Sequence, residues 1–491
     1  RIEGSPDPLG RFFDGNDYIF LLNESSDTVV GGTGYIPAQT PPQYGWPDMV
    51  AADNFFWAGQ GHKKLVGFSA TNDPNYIAWN RWSLDRLFID GSKVGIFDLS
   101  GLVAHLYDDK DGFAFLDIPE SGRLAFHGVA SNQLHPANLI IHDEINNYLF
   151  GSVGDDALAG TNDNDFIDGY SSFICQEGAC GLWSGNDILD GGLGNDILIG
   201  GPSLHQSGGY NRDRFVFGDQ SGNDVIVDFT VRTAYPNSID TGKHYDLFET
   251  LKNVNGLGVN FASELLVAST ETPYGETVIS LGDSNNVTLK DVLKSEISLS
   301  QVLVLPRTDT LIRGDEDNNI LVGTDGNDRI EGSDDPFGRF EDGYDILVGG
   351  LGDDVLIGGE NNSSTGGCIS DIYRFGDNSG NDIILGFVGS TSSSGSCFLV
   401  DRIEIIENIN SSGIYTAADL INNSSNNSEG YAVLNLGEGN TITLDGVALD
   451  SIKLESIHVL PPTSTLIQGT DGDDILVGTD GNDRIEGSDD P

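Results

Sequence analysis

Methionine occurs once and cysteine four times in these 491 residues, and lysine plus arginine number 24 against 76 aspartates and glutamates. The shortage of basic residues leaves a formal net charge of −52. A chain this acidic repels itself and resists compaction. It also repels phosphate backbones and anionic headgroups, which argues against nucleic acid and anionic lipid as partners. No run of 18 apolar residues exists, so no segment is long enough to span a membrane as a helix. No secretory signal pattern is present. Histidine is scarce too, at eight, and no two are four apart, which removes a zinc helix of the form H-E-x-x-H. His142-Asp143-Glu144 lacks the second His, and GYSSF at 169–173 lacks the second Gly of a Gly-x-Ser-x-Gly nucleophile elbow. With no catalytic constellation, the chain is expected not to be an enzyme. Cys175 and Cys180 share one insertion, while Cys368 and Cys397 flank another segment. Two disulfides, suited to an oxidising exterior, and four free thiols both fit this pattern. Neither spacing is a zinc pattern.

Glycine, by contrast, is abundant, at 65 residues, and it is periodic. GGLGNDILIGG at 191–201 returns as GGLGDDVLIGG at 349–359, and GTDGNDRIEGSDDP at 323–336 returns unchanged at 478–491. These are nine-residue units of the form Gly-Gly-x-Gly-x-Asp-x-U-x, with U a large aliphatic residue. They occupy 151–159, 160–168, 182–190, 191–199, 314–322, 323–331, 340–348, 349–357, 469–477 and 478–486. Position six reads Asp156, Asp165, Asp187, Asp196, Asn319, Asp328, Asp345, Asp354, Asp474 and Asp483. Position eight reads Leu158, Ile167, Leu189, Leu198, Leu321, Ile330, Leu347, Leu356, Leu476 and Ile485. The glycines permit tight turns. Each unit predicts a turn plus a short strand, so two units make one coil and like turns stack two units apart. The Asp supplies a hard oxygen ligand suited to calcium. An ion between stacked turns can take carboxylates and backbone carbonyls from both. About one ion per matched unit predicts roughly ten to fifteen calcium ions, which would offset the self-repulsion.

A longer repeat of about 155 residues overlies the short one. DRFVFGDQSGNDVIVDF at 213–229 matches DIYRFGDNSGNDIILGF at 371–387. ETVISLGDSNNVTLKDVLKSEISLSQVLVLP at 276–306 matches YAVLNLGEGNTITLDGVALDSIKLESIHVLP at 431–461. A degraded copy precedes both, and residues 466–491 begin another. Four segments follow: a divergent first module at 1–150, a second at 151–311, a third at 312–465, and the start of a further roll at 466–491. Each module runs from calcium segment to an Asp-x-aromatic-x-aromatic strand (Asp213, Phe215, Phe217; Asp371, Tyr373, Phe375). A strand such as 401–406 and a short helix at 417–422 come next. Alternation around a Gly-rich turn at 433–447 predicts a closing antiparallel hairpin. The expected class is all-β: tandem modules, each a calcium-binding parallel β-roll followed by an antiparallel sandwich or hairpin. The carboxylates assigned to metal are Asp17, Asp156, Asp165, Asp187, Asp196, Asp213, Asp224, Asp328, Asp345, Asp354, Asp371, Asp382, Asp474 and Asp483.

The nonapeptide pattern resembles the parallel β-roll of RTX (hemolysin-type) proteins. The layout of the modules is similar to the C-terminal part of serralysin-type proteases, without their zinc helix. The array as a whole looks similar to acidic RTX cell-surface proteins that form fibrils or S-layers. The resemblance implies an extracellular, secreted or surface location and calcium-coupled folding.

The first module departs from the pattern. It keeps only Gly15-Asn16-Asp17 and Ser25-Ser26-Asp27 near the calcium frame. His62, Lys63 and Lys64 stand where its sister copies have Gly-Asn-Asp, so fixed ammonium charge is expected to replace ions there. It holds Trp46, Trp57, Trp79 and Trp82. Trp57 aligns with Phe217 and Phe375 and is expected in the core. Trp79 and Trp82 suit either a core or a face that contacts a partner or a cell-surface polysaccharide. Residues 484–491 nearly equal residues 1–8, so the array is expected to continue, covalently or by head-to-tail assembly into a homo-oligomer or filament. Export or anchoring signals are expected outside this stretch. The expected function is a calcium-stabilised structural repeat protein. An adhesin, or the carrier region of a secreted hydrolase or toxin, are the alternatives.

Overall fold

The structure, a computed structural model, describes residues 2–3, 18–21, 27–30, 53–68, 70, 85–152, 154–169, 173–176, 179–182, 185–201, 212–231, 245–315, 317–333, 343–359, 370–389, 400–462, 465–468, 476 and 483–486. It divides into two units, Arg1–Val304 and Leu305–Pro491.

The second unit shows the architecture in its simplest form. Nonapeptides place three-residue strands alternately in two sheets. Ile320–Val322 and Ile346–Val348 go to one sheet, Asp328–Glu331 and Val355–Ile357 to the other. All these pairings are parallel. Such strands are too short to bury much alone, but position eight points every coil inward. Ile330, Leu347 and Leu356 are fully buried between the sheets. The first sheet continues through Ile372–Phe375 and Arg402–Ile406 to Ile457–Leu460. The second continues through Asn381–Leu385 to Asn440–Leu444, which turns back on Ala432–Gly437 as an antiparallel hairpin. The roll therefore grows into a thicker sandwich, whose core adds Tyr373, Phe375, Ile405, Leu434 and Leu444. The helix Ala417–Asn422 caps one side, opened by a Thr416–Asp419 capping box. Thr465–Gln468 then pairs in parallel with Asp483–Glu486.

The first unit contains the same pair of sheets with matching strand order. Asn147–Phe150, Asp165–Asp168, Ile197–Ile199, Asn223–Ile226 and Asn285–Leu289 form one sheet, closed by the antiparallel strand Thr277–Gly282. Ala157–Ala159, Ile188–Asp190, Arg214–Phe217, Leu247–Leu251 and Val302–Leu305 form the other. The insertion at 170–184 contains an antiparallel pair, Phe173–Gln176 with Ala179–Leu182, whose backbone register sets Cys175 opposite Cys180. Residues before 150 build a third version: parallel sheets, then the antiparallel pair Ala114–Ile118 with Gly122–His127. Trp57 is buried there, its Nε1 donating to Gln60 O at 3.1 Å. Trp46, Trp79 and Trp82 lie outside the described residues. An aromatic layer joins this version to the next within the unit. Phe56 stacks on Phe20 and Phe88, each at 4.7 Å, and both Phe56 and Phe88 meet Phe166 edge-on at 5.2 and 5.4 Å.

Candidate metal centre

Parallel stacking brings position six of one unit beside position six two units later, and a hydrogen-bonded ladder results. In the first unit the Asp165 amide donates to Asp196 Oδ1 at 2.7 Å, and the Asp196 amide to Asp224 Oδ1 at 2.9 Å. On the opposite edge the Asp156 amide donates to Asp187 Oδ1, Asp187 to Asp213, and Asp213 to Asp246. The second unit repeats both series: Asp328 to Asp354 to Asp382, and Asn319 to Asp345 to Asp371 to Asp401. One carboxylate oxygen per rung thus pins the coil before it. Position five carries a second ladder of opposite sense. The Asn195 amide donates to Asn164 Oδ1, Asn223 to Asn195, Asp353 to Asn327, and Asn381 to Asp353.

The other carboxylate oxygen faces the glycines. Oδ2 of Asp196 and Asp354 is buried and has no hydrogen-bond partner. These side chains are at most 1% exposed. A buried bare carboxylate oxygen is unfavourable unless a cation answers it. A Cβ built on Gly191 would lie 2.3 Å from Asp196 Oδ2, and one on Gly349 2.1 Å from Asp354 Oδ2. One on Gly160 would lie 2.1 Å from the Gly191 carbonyl oxygen, and one on Gly323 1.9 Å from that of Gly349. Glycine at position one therefore keeps open a cradle where carboxylate and carbonyl oxygens converge. Among the described residues no three Asp, Glu, His or Cys side chains meet at one point. An ion here must combine one or two carboxylates with backbone carbonyls, a donor set of hard oxygens that suits calcium. Burial pushes Asp196, Asp224 and Asp382 up to about 8 and Asp354 to about 6. Asp187 and Asp213 are raised by burial and by neighbouring carboxylates. With no cation beside them, these groups hold protons in a pH range where free carboxylates do not.

The sequence assignment meets the structure unevenly. Asp156, Asp165, Asp187, Asp196, Asp213, Asp224, Asp328, Asp345, Asp354, Asp371 and Asp382 all stand in the ladders. Asp17 and Asp474 lie outside the described residues, as does the side chain of Asp483. Asp246 and Asp401 end their ladders and were not read from sequence, because insertions before them break the period. Both of their oxygens are engaged: Oδ2 takes the Thr230 amide in one and the Val388 amide in the other, each at 2.7 Å. They close the ladder with an amide on each oxygen. Asp228 likewise accepts from the Gly200 and Gly201 amides. In the first module, register equates Val29–Leu65 with Leu198–Ile226. Lys63 therefore stands in the place of Asp224, one residue earlier than the sequence alignment set the exchange. It is 2% exposed, a buried ammonium where the other modules bury a carboxylate.

A two-sheet parallel roll with stacked carboxylate turns defines a calcium-binding repeat protein. The family model for the RTX calcium-binding nonapeptide repeat matches residues 143–171, 184–202, 312–335, 341–364 and 467–490. The chain carries RTX repeats, which bind calcium in multiple copies. No curated protein matches it. Twelve chains of solved structures do, among them the extracellular lipase LipA from Serratia marcescens, at 14% identity and a TM-score of 0.17. That match covers 68% of this chain and 44% of the lipase, so the chain spans less than half the length of that relative. Among the described residues no helix is long and apolar enough to cross a membrane.

Proposed function

We propose that this chain is a non-catalytic structural segment of an extracellular protein, whose calcium-stiffened modules build a surface fibre or layer by tandem or head-to-tail assembly. The observation that carries this reading is repetition of one device. Both units contain the same two sheets and the same ladders, each with buried carboxylate oxygens that lack a partner until a cation arrives. The roles follow from the geometry. Position-six carboxylates hold coil to coil through Oδ1, and those with a bare Oδ2, Asp196 and Asp354 among them, offer it to the ion. Position-one glycines give the ion room, and position-eight aliphatics supply the thin core. In calcium-poor surroundings the net charge of −52 keeps the chain expanded. In millimolar calcium, weak extracellular-class sites fill, and binding free energy becomes folding free energy.

Electron microscopy of the purified chain in millimolar calcium, and again after chelation, tests the assembly. Ordered fibres or sheets that dissolve on chelation are expected. Monodisperse particles at every concentration tried, in calcium, would contradict the structural reading.

A further inference from the structure

We infer that residue two of each nonapeptide decides whether its turn takes an ion: Gly-Gly turns hold calcium, whereas Ser and Thr turns hold their own carboxylate. This rests on the calcium reading above and places seven of the ten repeats in two classes, with the Trp183, Asp315 and Glu341 turns outside both.

In the Gly-Gly class, Gly192 and Gly350 adopt φ of 86° and 105°, a region that side chains disfavour. The Gly192 amide then points to Asp190 Oδ1 at 3.0 Å rather than to its own position-six carboxylate. Asp196 Oδ2 and Asp354 Oδ2 are left bare in the cradle. In the hydroxyl class, Ser152, Thr161 and Thr324 are not among the residues of positive φ, and their amides fold inward. The amide and the hydroxyl of Ser152 both donate to Asp156 Oδ2, the hydroxyl at 2.9 Å. Thr161 does the same to Asp165 Oδ2, with its hydroxyl at 3.0 Å, and Thr324 to Asp328 Oδ2 at 2.9 Å. Each hydroxyl oxygen also accepts an amide from two residues on: Gly154, Asp163 and Gly326 at 3.2, 3.1 and 3.1 Å. Two donors from the chain thus occupy the oxygen that the Gly-Gly turns reserve for metal. Asp165 is complete, since Asn147 Nδ2 serves its Oδ1 at 2.6 Å. Asp328 keeps Oδ1 bare, because Thr310 replaces that asparagine in the register.

In the first unit the Ser152 and Thr161 turns open the roll, in the second the Asp315 turn opens it and the Thr324 turn comes next, and the Gly-Gly turns follow in both. First coils are closed by the chain itself, and calcium demand falls on the later coils. By sequence, Thr470 and Thr479 belong to the hydroxyl class.

Native mass spectrometry of the full chain, equilibrated with calcium and desalted, reads the number of ions held. Thr161→Gly is expected to hold one more calcium than the wild type, and Thr161→Ser the same number. Ser152→Gly provides a second test at the Asp156 turn, with the same gain of one. Gly192→Ser is a poorer probe, since its Cβ would meet the Thr161 carbonyl oxygen at 2.2 Å. A wild type that binds calcium while both glycine variants hold an unchanged number overturns this inference alone. A wild type that holds no calcium overturns the reading beneath it.

Discussion

In the Gly-Gly turns the rung aspartate performs two tasks with its two oxygens, and the tasks can be separated. Asp196 pins the Asp165 amide with Oδ1 and presents Oδ2 to the cradle. Asp196→Ala removes both and is expected to destabilise the calcium-loaded chain by about 3–5 kcal/mol, the cost of breaking a buried charge pair. Asp196→Asn retains a side-chain acceptor for the amide and removes the charge. Its melting temperature is expected to fall below wild type in calcium but to exceed wild type in chelator at pH 9, where the wild type must bury a charged carboxylate. Equal melting of the two proteins in both buffers would remove Asp196 from the metal site. Asp401 gives the contrast. It accepts the Asp371 and Val388 amides and holds no bare oxygen. Asp401→Ala is expected to lower stability by about 2–4 kcal/mol through two stranded amides. Thermal melts with and without calcium should show the same loss for this variant.

The roll as an element inherits the titration of its carboxylates. Burial raises Asp196, Asp224 and Asp382 to about 8 and Asp354 to about 6, above the ordinary carboxylate range. A raised folded-state value means that the metal-free roll binds more protons than the unfolded chain between these limits. The stability so gained is complete below about pH 4 and is lost as pH rises through 6 to 8. In chelator, melting temperature should therefore fall between pH 5 and pH 9. In saturating calcium that fall should vanish or reverse, because protons then compete with metal. A chelated protein that melts higher at pH 8 than at pH 5 would contradict the burial of these groups. At this scale most of the roll was legible in sequence. The nine-residue period assigned Asp196 and Leu198 opposite duties, alternation signalled the hairpin, and the segment AADLIN signalled the 417–422 helix. What escaped had physical causes. Asp246 and Asp401 follow insertions that hide the period, although stacking restores it in space. The position-five ladder was overlooked because asparagine beside aspartate reads as turn chemistry. Lys63 was set one residue out because the first module shortens the loop before it, and only pairing with the strand Asp27–Val30 fixes the register.

For the whole molecule, the balance lies between a thin core and a net charge of −52. Among the described residues the first unit buries three separate clusters and the second unit one, rather than a single large core. Each filled site adds about 2.7 kcal/mol at one hundred times its dissociation constant. Several sites together therefore outweigh the marginal stability of a domain. Small-angle scattering should report an expanded chain in chelator that contracts on adding calcium, with magnesium a poor substitute because it demands rigid octahedral geometry. The most direct test is thermal unfolding followed by circular dichroism, in EGTA and in millimolar calcium. Calcium is expected to raise the melting temperature by more than about 10 °C, from about 2.7 kcal/mol at each of several filled sites. Superimposable melts, with strand signal unchanged after exhaustive chelation, would contradict it.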